Sequence, residues 1–212
     1  PNRNVGVGDR YGYNYILRAN TLDAFTQFRF NYRKIDFYLA QSFTATNYQR
    51  EGLYRNGIYP NNSFGDSENV NFENFAFKGG LTWKLTGRNF INFNGAYLTK
   101  APTMRNTFFN ARLNNNVVDD IQSENVSSMD LSYILRTPTF KLKLTGFFTR
   151  VRNATTNTFF FADAVLDEGG DGAESAFVAQ TMTEVGRRNM GLEFGSEYQI
   201  TSTLKATIAA SY

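Results

Sequence analysis

Residues 140–148 read FKLKLTGFF. In an extended chain successive side chains point to opposite faces. Phe140, Leu142, Leu144 and Phe148 therefore share one side of a strand, and Lys141, Lys143 and Thr145 share the other. What the protein is turns on which side meets water. If the apolar side covers a core, the strand belongs to an ordinary soluble antiparallel sheet. If it meets hydrocarbon, the lysines line a water-filled lumen.

The same alternation recurs along the 212 residues, while helical periodicity is almost absent. A first strand is expected over 11–18 and a second over 23–33, where Ala24, Thr26, Phe28, Phe30 and Tyr32 oppose Gln27, Arg29, Asn31 and Arg33. A third covers 36–46, with Phe37, Leu39, Phe43 and Ala45 on one side. In a fourth, Phe75, Phe77, Leu81, Trp83 and Leu85 oppose Lys78, Thr82 and Lys84; in a fifth, Ile91, Phe93 and Tyr97 oppose Asn92 and Asn94. Met129, Leu131, Tyr133 and Leu135 mark the sixth, and residues 140–148 are the seventh. The eighth sets Met190, Leu192, Phe194 and Tyr198 against Glu193 and Glu197; the ninth sets Leu204, Ala206, Ile208 and Tyr212 against Lys205 and Thr207.

Composition agrees with strands and closes off several chemistries. Phe and Tyr, at 21 and 12 residues, suit pleated surfaces. With no Cys and no His, disulfides, Cys/His zinc sites, thiolate nucleophiles and a His base are excluded. The net charge of +3 is small and the Lys and Arg are dispersed, which speaks against a nucleic-acid partner. No apolar run reaches the roughly 20 residues of a spanning helix. The start, PNRNVGVGDR, has no apolar core of a signal peptide, so a mature piece or a fragment is expected.

Three features favour lipid on the apolar side over the soluble alternative. Most segments run longer than the usual 5–6 residues of soluble strands and match the roughly 9–11 that a tilted strand needs to span a bilayer. Connections alternate: tight turns at 33–36, 86–89, 136–139 and 201–203 are interleaved with long segments at 47–73, 101–122 and 152–187, and only the first connection, 20–23, breaks the rule. Short turns at one end and long loops at the other are the habit of transmembrane barrels. The apolar faces also carry no charge in the strand centres, a weaker discriminator because a soluble core excludes charge too. Backbone groups in lipid must all be paired, so such a sheet has to close. The fold class expected is all-β, an antiparallel transmembrane β-barrel, with residues 1–212 forming part of one barrel domain. About nine strands ending on a strand at Tyr212 imply an arc of a larger barrel.

The stretches NFINFNGAYLTKAPTMRNTFFNAR (89–112) and GRRNMGLEFGSEYQITSTLKATIAASY (186–212) resemble TonB-dependent outer-membrane receptors. The first is similar to a barrel strand running into an APT-type segment and an external loop. The richness in Asn, Phe and Tyr resembles the subgroup with a carboxypeptidase-regulatory-like N-terminal domain, related to Oar- and SusC-type receptors. The resemblance implies a 22-stranded parent barrel in the bacterial outer membrane. It also implies a plug domain and a TonB box lying N-terminal to Pro1, and import of a large substrate without catalysis or a cofactor. The competing reading is a structural or interaction subunit that binds a surface lipoprotein through its external loops; a soluble β enzyme is the third.

Candidate residues follow from the faces. Arg29, Arg33, Lys78, Lys84, Asp130, Lys141, Lys143, Glu193 and Glu197 are expected on the lumen side, to grip a plug or guide a polar ligand, or simply as a solvated wall of balanced charge. Tyr54, Tyr59, Phe108, Phe109, Phe159, Phe160 and Phe161 are expected in external loops, as a ligand mouth, as loop packing or as an aromatic girdle. Asp167, Glu168 and Asp171, beside three glycines, are a weak Ca²⁺ candidate whose spacing departs from the EF-hand pattern; a hydrated acidic loop is the plainer account. No carboxylate pair is marked for glycoside hydrolysis.

Overall fold

The computed structural model describes residues 4, 6–162 and 176–212. Eight long strands form an up-and-down antiparallel meander: β1 (Tyr15–Asn31), β2 (Ile35–Gly52), β4 (Val70–Lys84), β5 (Asn89–Lys100), β6 (Glu124–Arg136), β7 (Phe140–Ala162), β8 (Ala176–Gln199) and β9 (Lys205–Ser211). A two-residue β3 (Gly65–Asp66) adds to the end of β2 and makes nine. The single helical turn α1 (Met104–Thr107) lies between β5 and β6. β1 and β9 are unpaired edges, so the sheet is open.

The register shows why the sheet has two unlike faces. Leu135 and Leu142, Tyr133 and Leu144, and Met129 and Phe148 sit directly opposite one another across β6 and β7. Leu144 meets Phe194 and Phe148 meets Met190 across the next pair. Phe43 opposes Phe75, and Phe37 opposes Leu81, farther along the sheet. Directly opposed residues point the same way. One face is thus mainly apolar, interrupted by Thr26 opposite Gln41 and by Ser196, and the other carries Asp36, Thr82, Asn92, Asn94, Asp130, Ser132, Thr145 and Glu193.

Three expectations about boundaries are corrected. The segments 11–18 and 23–33 are one strand: 20–23 is no turn but the middle of β1, where Asn20, Thr21, Leu22 and Asp23 pair with Asn47, Thr46, Ala45 and Thr44. The Thr44 hydroxyl donates to Asp23 Oδ1 at 2.5 Å, so these turn-forming residue types satisfy each other across the strands and the ladder overrides local preference. The predicted loop 152–187 is largely hairpin, because β7 runs to Ala162 and β8 starts at Ala176. Register shifts between Val151 and Thr156, with left-handed backbone at Asn153 and Glu184, interrupt the alternation that would have disclosed those strands. The predicted loop 47–73 likewise contracts to 53–69. Short turns at 32–34, 85–88, 137–139 and 200–204 lie at one end and the long connections at the other, as expected.

Hydrophobic burial is nearly absent from the wall. The buried apolar side chains among the described residues are Phe72, Phe108, Val118 and Ala154, all toward the long-loop end. Close packing within the wall involves rings and glycines instead. A Cβ on Gly80 would stand 2.3 Å from the Tyr38 ring and 2.4 Å from Asn94 Oδ1, so only glycine lets that ring lie across the strand.

Candidate functional site

On the polar face, side chains satisfy one another in short rows. Asn94 donates to Asp130 Oδ1 at 3.0 Å and to Asn92 Oδ1 at 2.7 Å, and Asn92 donates to Thr82 Oγ1 at 2.8 Å. The Ser132 and Thr145 hydroxyls bond at 2.8 Å. Toward the short-turn end Lys84 pairs with Asp36 at 2.6 Å, and Glu197 is bracketed by Lys141 at 2.9 Å and Lys205 at 3.2 Å. Seven of the candidate charges, Lys78, Lys84, Asp130, Lys141, Lys143, Glu193 and Glu197, stand on this face, as does Arg29 opposite Tyr38. Arg33 lies instead in the turn between β1 and β2, because β1 ends at Asn31. These charges form separate pairs and rows along the wall; they do not converge on one point.

Asn74 on β4 has no such partner. It sits opposite Thr44, is buried, and leaves both Nδ2 and Oδ1 without a partner among the described residues. Sequence reasoning passed over it, since an Asn in a polar row carries no distinguishing signal.

At the long-loop end, the segments 53–69 and 101–123 fold together over the polar face. Arg50, beside Tyr48 and Thr46 in the polar register of β2, is 1% exposed. Its Nε donates to the Ala111 carbonyl at 2.7 Å, its Nη1 to the Ser63 carbonyl at 3.2 Å and also to Asn115 Oδ1, and its guanidinium lies 5.4 Å from the centre of the Tyr15 ring. Burial lowers the pKa of Arg50, and Tyr15 opposes that shift. Asn115 N donates to the Asn62 carbonyl at 2.8 Å and joins the two loops. On the other flank Asn157 Nδ2 donates to the carbonyls of Arg105 at 3.1 Å and Phe108 at 2.9 Å, while Asn106 Nδ2 donates to the Thr155 carbonyl at 2.7 Å. Arg50 and Asn157 thus hold the cap from β2 and β7.

The loop aromatics divide. Phe108 is 1% exposed, inside the cap and not on its surface, where it follows α1 and bridges to Val117. Phe109 is partly exposed, and Tyr54 and Tyr59 are half-buried in 53–69. Phe159, Phe160 and Phe161 belong to β7 and not to a loop; Arg105 lies 6.0 Å from the Phe159 ring centre. Asp167, Glu168 and Asp171 lie outside the described residues. Among the described residues no group of three or more acidic side chains is placed to hold a metal ion.

Comparison with known proteins follows the architecture. The chain matches the solved structure of a protein described as copper transporter OprC, with a TM-score of 0.60, 16% sequence identity, 92% of this chain covered and 29% of that chain. The sheet is a β-barrel fragment in fold. It spans less than a third of the length of that structure. No family model matches the sequence, and no curated protein matches it.

Proposed function

We propose that the chain is an arc of the wall of a larger outer-membrane barrel, part of a TonB-dependent-type transporter that imports a large polar substrate. The observation that carries this reading is the inverted placement of apolar surface. The band stays open to solvent in mid-strand, with Met190 72%, Leu192 57%, Phe77 56% and Leu131 55% exposed, and no second layer of the described residues covers it. A soluble chain of this size removes about 70% of its surface from water on folding. Lipid is the solvent that such a face fits, and closure through further strands at β1 and β9 would satisfy the two open edges.

On this reading the polar face lines the lumen. The Arg50-centred cap is the external lid over the passage. The plug and the TonB contact belong to other parts of the protein. The matched structure is named for copper, but this chain has no His or Cys, and Met129 and Met190 fall on the apolar face. Along the wall the polar face offers amides, hydroxyls and carboxylates, which suit a hydrated organic solute.

The test replaces Leu144, midway up the band, by Arg and its neighbour Lys143 by Leu in the natural full-length protein. Arg at mid-depth costs about 2–4 kcal/mol on the lipid face. Leu144→Arg should abolish assembled, heat-modifiable barrel in the outer membrane, and Lys143→Leu should leave it. Equal tolerance of both would refute the assignment of faces. Uptake that persists without the ion gradient would refute energised import while leaving the barrel intact.

A further inference from the structure

The apolar face ends abruptly on β7 and β8. Counting up from Phe140 and Tyr198, whose rings lie 6.4 Å apart at the short-turn end, the outward residues run Leu142, Leu144, Gly146 and Phe148 on β7, and Ser196, Phe194, Leu192 and Met190 on β8. The next outward pair is Arg150 directly opposite Arg188, with Arg152 following in register with Asn125 of β6. From Phe140 to Arg150 a strand tilted by about 40° climbs roughly 25 Å, the height of a barrel's apolar band. The arginines therefore stand where acyl chains give way to headgroups at the long-loop end.

Like charges placed directly across a strand pair repel each other, and here nothing among the described residues relieves the repulsion. No ion pair or side-chain hydrogen bond among the described residues involves Arg150, Arg152 or Arg188. Glu124 on β6 is engaged with Lys100 at 3.8 Å, and Glu184 on β8 makes no ion pair with the three. By contrast, the outward Arg18 of β1 is met by both Glu51 and Asp66. Beside the arginines the outward positions of β5 and β6 are Tyr97, Thr99, Ser127 and Asn125, which supply further polar groups and no carboxylate.

We infer that Arg150, Arg152 and Arg188 form a docking site for a phosphate-bearing lipid headgroup of the surrounding leaflet. The inference rests on the barrel reading, because it takes its height and facing from it. Guanidinium groups bind phosphate oxygens in bidentate fashion, and the acyl chains of the same lipid would lie down the Phe148–Met190 band. A free anion would lack that second contact, which is why the lipid, and not dissolved phosphate, is the occupant.

The experiment uses the natural full-length protein in detergent micelles, its barrel verified by heat-dependent electrophoretic mobility. Binding of diphosphorylated lipid A is compared with that of the same lipid dephosphorylated, for wild type, R150Q/R188Q, R150K/R188K and R18Q. Wild type should prefer the phosphorylated lipid by about tenfold or more. R150Q/R188Q should lose most of that preference, R150K/R188K should keep part of it and R18Q all of it, and excess inorganic phosphate should not displace the lipid. Equal affinity of wild type for the two lipids overturns the inference, and so does an unaltered preference in R150Q/R188Q. Displacement by inorganic phosphate alone also overturns it. If R150Q/R188Q fails to assemble, the wild-type comparison of the two lipids decides by itself. A protein with no heat-modifiable form contradicts the barrel reading; an assembled barrel indifferent to phosphate contradicts only this inference.

Discussion

Replacing Arg50 by Met should release the external cap while leaving the wall intact. Met keeps most of the aliphatic stem and removes the fork that reaches Ala111, Ser63 and Asn115. Three charge-assisted hydrogen bonds at about 1.5–3 kcal/mol each give a gross loss of roughly 4–9 kcal/mol. Against this, the substitution relieves the several kcal/mol that burying a guanidinium costs. A net loss of about 2–4 kcal/mol remains, and it falls on a local unit and not on the ladder. At 1.36 kcal/mol per decade, opening of the cap becomes roughly 30- to 1,000-fold more frequent. Amide hydrogen exchange is the assay: protection in 53–69 and 101–123 should fall by that factor, while β5 and β6 keep theirs. Arg50→Lys should forfeit most of the protection too, since an ammonium cannot span three acceptors. Arg55, exposed, with a single bond to the Pro60 carbonyl at 2.9 Å, is the control whose loss should matter little. A change of less than about threefold in the Arg50→Met loops would refute the view that this side chain organises the cap.

Asn157→Leu should free 101–123 from β7 by removing its two bonds to the Arg105 and Phe108 carbonyls, about 1–3 kcal/mol, and limited proteolysis should then cut within 101–123 before anywhere in the wall. Gly80→Leu should lower the thermal midpoint of the barrel, because its Cβ would overlap the Tyr38 ring; overpacking of this kind costs about 1–3 kcal/mol, and a compensating Tyr38→Ala should recover part of it. Glu197→Gln should leave that midpoint unchanged within error, since its pairs with Lys141 and Lys205 are exposed to solvent.

The parts of this architecture that were legible in the sequence are those written in single-strand periodicity. Residues 140–148 show both faces because each alternate position differs sharply in polarity, and β6, β8 and β9 repeat the signal. Legibility failed where two strands share the information. The segment 20–23 has turn-forming residue types and reads as a turn until Asp23 is seen against Thr44. The upper parts of β7 and β8 lose their period at the bulges, so NATTNTFFF read as loop, and with it Phe159 to Phe161. The cap was the least visible. Arg50, one residue after Gln49 in an apparently polar loop, differs from Arg55 through contacts with Tyr15, Ser63, Ala111 and Asn115, two of them more than 60 positions away. Phe108 and Phe109 are adjacent and chemically identical, yet the Phe108–Val117 bridge turns only the first inward.

Wall and cap follow opposite rules because they answer to different surroundings. In the wall, backbone ladders do the joining and the large apolar side chains point away from any protein neighbour, so burial depends on what lies outside the sheet. In the cap, Phe108 and Val118 are covered by protein, and polar groups such as Ser63, Thr107 and Asn114 are buried with them, the pattern of a small water-soluble core. The changeover lies between Phe148 and Ala154 on β7: below it the outward face is apolar, at Arg150 and Arg152 it becomes cationic, and above it Ala154 and Thr155 are buried against protein. On the proposed barrel reading, a bilayer edge at that height accounts for all three changes at once. A soluble sheet gives no reason for the exposure of Met190, the facing arginines and the first protein-covered residues to follow one another along a single strand pair.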